Sequence, residues 1–118
     1  MSIGATECRA ASRMAALAVT EQAEEDVAGI LRYTLERWGE QQYWEYAALI
    51  EEALVAVAQD PLRGRSRPET RAGMLAFHVK QPGRNARHVL FYAHDAVRDR
   101  VTVVRVLHDS MDFERHLP

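Results

Sequence analysis

The 118-residue chain predicts an α+β fold: an N-terminal strand, an antiparallel helical hairpin, then a three-stranded antiparallel meander and a short C-terminal tail. Three observations carry that expectation. Apolar residues recur at three- and four-residue steps from Ala23 to Val57, the spacing of helices with one buried face. The period changes to two at Leu75, as it does in strands with one face covered. Between the two regimes lies "PLRGRSRPETRAG", residues 61–73, whose prolines, glycines and arginines show no periodicity and read as an exposed loop.

Taken in order, Ala15 to Val19 form a strand-like segment directly after Met14. That places residues 1–13 in a loose extension ahead of a single domain over 14–118, or makes them the product of an early start codon. Cys8 falls in the extension and reads as an inert thiol. The alanine-rich opening carries Arg9 and Arg13, but its apolar run is too short for an export signal, and no stretch approaches the roughly 20 apolar residues of a membrane span. Thr20 is placed to N-cap the first helix, and Glu21, Glu24, Glu25 and Asp26 suit the positive end of its dipole. Ala23, Val27, Ile30, Leu31, Thr34, Leu35 and Trp38 make its buried stripe, and Gly39 its C-cap. Gly29 fits either close backbone packing or a tolerated weak point. Tyr43, Ala47, Ile50, Leu54 and Val57 make the second stripe, which Asp60 and Pro61 end. So short a connection predicts an antiparallel hairpin, with Trp38 and Trp44 packed at its turn.

Leu75, Phe77 and Val79 then alternate with Ala76, His78 and Lys80; "QPGRN" reads as a turn, and "HVLFYAH" and "RVTVVRVL" as strands joined by "DAVRD". The last strand is apolar on both faces for most of its length, which predicts a central position. The Ala15–Val19 strand then takes an edge of the sheet.

Composition narrows the function. With 47% apolar and 27% charged residues the chain is globular rather than disordered. A formal charge of −2 offers no long-range attraction to nucleic acid or anionic membrane. One cysteine leaves no internal disulfide or thiolate zinc cluster, and none of the five histidines forms an i,i+4 pair, so no metal and no cofactor are expected. Arg63, Arg65, Arg67 and Arg71 could grip phosphate or an acidic protein surface, or stand solvated; without interleaved aromatics, nucleic acid is the weaker partner. Tyr92 reads as a core residue with its hydroxyl tip at the surface, catalysis being its other use. His108 ends the last strand in "RVLHDSMDFERHL", where acid–base work, a hydrogen bond to a target and carbonyl capping are all open; contact or structure is favoured.

The motifs "AEEDVAGILRYTLERWG", "DPLRGRSRPETRAGMLAF", "RHVLFY" and "VVRVLHDSMD" resemble the ParE branch of the RelE/ParE toxins of bacterial toxin–antitoxin pairs. Their order and spacing carry the likeness, which covers nearly everything after Met14. It implies a RelE/ParE-like fold and a cytoplasmic toxin held silent by a ParD-like antitoxin from the same operon. It also implies action on DNA gyrase, with no enzymatic chemistry, membrane binding or sequence-specific nucleic-acid binding by the toxin alone. The RelE branch implies the alternative, a ribosome-dependent endoribonuclease that cuts messenger RNA. Such cleavage needs a base at the 2′-hydroxyl, an acid at the leaving oxygen and cations for the developing charge. The candidates are His78, Arg87, Tyr92, Arg105 and His108. Ala76 and Val89, however, stand where the RelE branch places lysine or arginine, and strand alternation sends Arg105 to the face opposite His108. The gyrase reading is therefore preferred. On it, His108, Asp109, Ser110, Met111, Asp112 and Arg115 form the target contact, and Arg63, Arg65, Arg67 and Arg71 meet antitoxin or phosphate. An amphipathic helix of the antitoxin is expected in the groove between hairpin and sheet.

Overall fold

The computed structural model describes residues 14–67, 70–81, 84–109 and 113–117, with backbone alone for residues 80, 81, 84–87, 113 and 114. The extension expected over residues 1–13, Pro82 and Gly83 of the "QPGRN" turn, and Ser110, Met111 and Asp112 of the tail lie outside the described residues.

Strand β1 (Ala16–Val19) leads into helices α1 (Glu21–Trp38) and α2 (Glu40–Gln59). Strands β2 (Met74–Gln81), β3 (Arg84–Asp95) and β4 (Arg100–His108) follow, then a short α3 (Phe113–His116). The sheet order is β1-β4-β3-β2. β2, β3 and β4 make the antiparallel meander. β1 takes the edge beside β4 and runs parallel to it, Ala16 opposite Arg100 and Val19 opposite Val103, so the sheet as a whole is mixed. β4 is central, in keeping with its apolar run. Among the described residues, no helix is long and apolar enough to cross a membrane.

The local signals act where the sequence places them. Thr20 caps α1: its Oγ1 accepts from the Ala23 N–H at 3.1 Å and donates to the Val104 carbonyl at 2.8 Å, while its own N–H reaches the Val103 carbonyl at 3.0 Å. The start of the hairpin is thereby tied to the sheet centre. Gly39, at φ +92°, ends α1 and begins α2, so the hairpin turn is one residue in a conformation that side chains avoid. A Cβ at Gly29 would meet nothing within 4 Å, so close packing does not explain that glycine.

The helices cover one face of the sheet. Ala23, Tyr46, Ile50, Ala53 and Val57 pack there on Val79, Leu90, Tyr92, Val101, Val103 and Val106. On α2 the buried stripe starts at Tyr46, while Tyr43 is half-buried with the Trp44 ring edge-on to it. An antiparallel meander commonly leaves its second face to water. Here that face is apolar as well: Met74, Ala76, Val89, Phe91 and Leu107 are buried, with Val104 and Leu117 of the tail against them.

The aromatic residues at the hairpin turn depart from expectation. Leu35 is exposed, and Trp38 and Trp44 are 63% and 64% exposed rather than packed. The reason is length. Thr20 sits beside Val103 and Val104, and Asp26 beside Arg105 and Val106, so α1 advances along β4 toward His108. From Asp26 to Trp38 the helix rises about 18 Å, whereas from Val106 to His108 the strand has about 7 Å left. The hairpin tip overhangs the end of the sheet.

Candidate functional site

Under that overhang, strand pairing places His88 of β3 directly opposite His108 of β4. Their rings are near perpendicular with centroids 5.2 Å apart. Both occupy the helix-facing side, two positions from the core residues Leu90 and Val106. Tyr46, one turn before Ile50 on the buried stripe of α2, bonds through its hydroxyl to His88 Nδ1. At the other end, the Asp109 carboxylate lies 3.3 Å from His108 Nδ1. Tyr46, His88, His108 and Asp109 thus form a chain from the interior to the surface, where the last two side chains are 38% and 41% exposed.

Burial, and then the neighbouring His108, pull His88 down to about 4, with Asp109 opposing them. Burial and the Asp109 charge push Tyr46 up to about 12. At neutral pH the phenol keeps its proton and donates it to a neutral imidazole, which leaves the His88 proton on Nε2. Among the described residues, no group of three or more His, Cys, Asp or Glu could hold a metal ion.

Arg105 belongs to a different assembly. It pairs with Phe91 on the second face, and the ladder is irregular there: Phe91 faces Arg105 while Tyr92 faces Val103, leaving Val104 as an extra residue. β1 has ended at Val19, opposite Val103, and Asp26 of α1 covers the opened edge. Arg105 donates twice to its carboxylate, at 2.7 and 2.9 Å, and the Val106 N–H adds a third bond at 3.0 Å. The bond to Asp26 raises the guanidinium pKa further. Arg105 Nη1 also donates to the His116 carbonyl at 3.0 Å, which pins α3 to the sheet.

Tyr92 is wholly buried and fastens the arginine loop, a correction to the reading of its hydroxyl as a surface tip. That oxygen accepts from the Gly64 N–H at 2.9 Å and donates to the Pro61 carbonyl at 2.8 Å. Arg65 and Ala76 exchange both backbone hydrogen bonds, at 2.9 and 2.8 Å. The loop is therefore joined to β2 by one isolated bridge at Arg65. Arg63, Arg65 and Arg71 are exposed and Arg67 is half-buried.

The other anticipated residues fall elsewhere. His78 is exposed opposite Val89, on the second face of the sheet and away from His108. Arg87 precedes His88 with only its backbone described, and Arg115 is exposed on α3. His78, Tyr92, Arg105 and His108 thus do not converge. Sequence reasoning missed Tyr46, His88 and Asp26. Tyr46 was accessible from the helical step to Ile50. The His88–His108 pair was not: counting from Asp95 opposite Arg100, an unbroken ladder would set His88 against Leu107, and the extra residue at Val104 corrects the register.

Comparison with known proteins places this geometry. A family model for "ParE toxin of type II toxin-antitoxin system, parDE" matches residues 17–113. Toxin ParE1 of Caulobacter vibrioides is 31% identical over 99 residues, covering 84% of this chain and 94% of that protein. Toxin ParE of Escherichia coli is 30% identical over 106 residues, covering 88% and 94%. A structure of the chromosomal ParDE system from P. aeruginosa superposes with a TM-score of 0.64 at 16% identity, over 81% of this chain and 97% of that one. The RelBE2 toxin–antitoxin complex of Mycobacterium tuberculosis gives 0.54 at 22%, over 80% and 98%. At such identities the two structures show the shared fold alone.

Proposed function

The chain belongs to the ParE toxin family of type II toxin–antitoxin systems, and from that premise we propose that it acts in the cytoplasm by binding DNA gyrase, without enzymatic chemistry, until a ParD-like antitoxin silences it. The scatter of the acid–base candidates carries this reading. His78 lies across the sheet, the Tyr92 hydroxyl is committed to the loop, and Arg105 is held by Asp26. The histidine pair that does form lies with Tyr46 and Asp109, and none of His78, Tyr92 and Arg105 joins it. The half-exposed surface of His108 and Asp109 suits contact with a protein target; Tyr46 and His88 brace it from behind. The overhanging tip, with exposed Tyr33, Leu35, Trp38 and Trp44, suits the apolar face of an antitoxin helix laid between hairpin and sheet end.

The test is a gyrase supercoiling assay with the purified toxin, with and without the product of any short reading frame adjoining its gene. Inhibition that the second protein relieves is the expected result. Unimpaired supercoiling, together with messenger RNA cut in translating ribosomes and spared by His108→Ala, would establish the ribonuclease instead.

A further inference from the structure

We propose that β1 is a docking edge for a second copy of this chain, the two β1 strands pairing antiparallel about Ala18 so that the sheets of both copies join. β1 is the first strand in the sheet order and has β4 on one side only. The Ala16 N–H donates to the Asp99 carbonyl at 2.9 Å and the Thr20 N–H to the Val103 carbonyl at 3.0 Å, so the even positions of β1 turn their backbone toward β4. The N–H and C=O groups of Leu17 and Val19 therefore face outward, and they have no partner among the described residues. An open edge of this kind is usually guarded by a lysine, a proline or a bulge. From Met14 to Thr20 there is no charged residue and no proline, the register with β4 runs unbroken, and Leu17 is 41% exposed.

The edge is complementary to itself. With a twofold axis at Ala18, Leu17 of one copy lies opposite Val19 of the other and each such pair exchanges both backbone bonds, so every outward group of both strands is satisfied. The neighbouring registers satisfy fewer. An axis at Leu17 would call on the Ala15 N–H, which already donates to the Ala58 carbonyl at 2.8 Å, and an axis at Val19 would run the ladder into α1, which begins at Glu21. Ala18 meets its own counterpart at the close, non-hydrogen-bonded position, where a methyl group leaves room. Leu17, on the helix-facing side with Val101, then covers the half-buried Val19 of the second copy. Charge agrees with this orientation. Thr20 falls opposite Ala16 of the second copy, whose neighbour on β4 is Arg100, about 10 Å from Thr20 across two strand spacings. The exposed Glu21 of each copy thus comes within side-chain reach of the exposed Arg100 of the other. The paired stretch is short, which places the dimer among small transient interfaces, with a Kd on the order of 10–100 µM.

The experiment follows the full chain by analytical ultracentrifugation from about 5 to 500 µM at low salt, with circular dichroism to verify folding. It contains neither gyrase nor antitoxin, so its outcome is independent of the toxin reading. The wild type should pass from monomer to dimer. Amide exchange at Leu17 and Val19 should slow as concentration rises, while Ala16 and Ala18, already bonded to β4, keep their rates. Leu17→Pro, which removes one outward N–H and no bond to β4, should weaken the dimer at least about tenfold. Leu17→Lys should do the same, and serves if the proline variant does not fold. Arg100→Glu should weaken the dimer about threefold or more, and adding Glu21→Arg should restore it to within about twofold of wild type. Trp38→Ser with Trp44→Ser should leave it unchanged, which separates edge pairing from association through the hairpin tip. A monomer throughout, a dimer that a folded Leu17 variant leaves intact or that the tryptophan variant loses, or no recovery on the charge swap overturns the proposal.

Discussion

At Tyr92 a single oxygen decides whether a loop is anchored. Replacing it by phenylalanine keeps the ring in the core but leaves the Gly64 N–H and the Pro61 carbonyl without their partner. The expected cost is about 1–3 kcal/mol in urea denaturation, with faster amide exchange confined to the loop. His88 makes a pH-dependent contribution. Its value in the folded protein, about 4, lies below the ordinary 6.5, so the unfolded chain takes up the proton first. The contribution is complete above about pH 6.5 and is lost as pH falls toward 4. The whole shift corresponds to about 3 kcal/mol, which the partial exposure of the ring reduces to about 1–2 kcal/mol. Denaturation at pH 6.5 and at pH 4.5 should show the wild type losing about that much more stability than His88→Asn.

Among the elements, the clamp of Asp26, Arg105 and His116 joins α1, β4 and α3. It sits where β1 has run out, and it supplies to the open edge of β4 the partner that a longer strand would have given. Asp26→Ala would leave a guanidinium whose side chain is 16% exposed without its counterion. A loss of about 2–4 kcal/mol is expected by thermal or urea unfolding, and the tail beyond Asp109 should become the first site of limited proteolysis. Nothing in the sequence announces this clamp. Asp26 reads there as one of several acids in a first helical turn, where the helix dipole already accounts for it. The caps at Thr20 and Gly39, the stop at Asp60 and Pro61 and the change of period at Leu75 were legible, because each depends on residues within a few positions of one another. The Val104 irregularity, the overhang of α1 and the apolar second face depend on how far one element runs relative to another, which residue spacing does not encode.

Across the whole molecule the surfaces divide by position. The hairpin tip and the histidine pair share one end of the sheet, while α2 carries the chain away from that end to Asp60 and delivers the arginine loop to the β2 edge. The tip allows a clean separation of folding from binding, because Trp38 and Trp44 are mostly in solvent while the stripe beneath them, from Tyr46 to Val57, carries the core. Exposed side chains away from caps and clamps contribute within about 0.5 kcal/mol to stability. A tryptophan at the centre of a partner's contact contributes about 2 kcal/mol or more to affinity, equivalent to about thirtyfold in Kd. The double variant Trp38→Ser and Trp44→Ser should accordingly unfold within about 1 kcal/mol of wild type. By calorimetry it should bind the antitoxin at least about thirtyfold more weakly. Unchanged affinity in this folded variant would move the antitoxin away from the overhang.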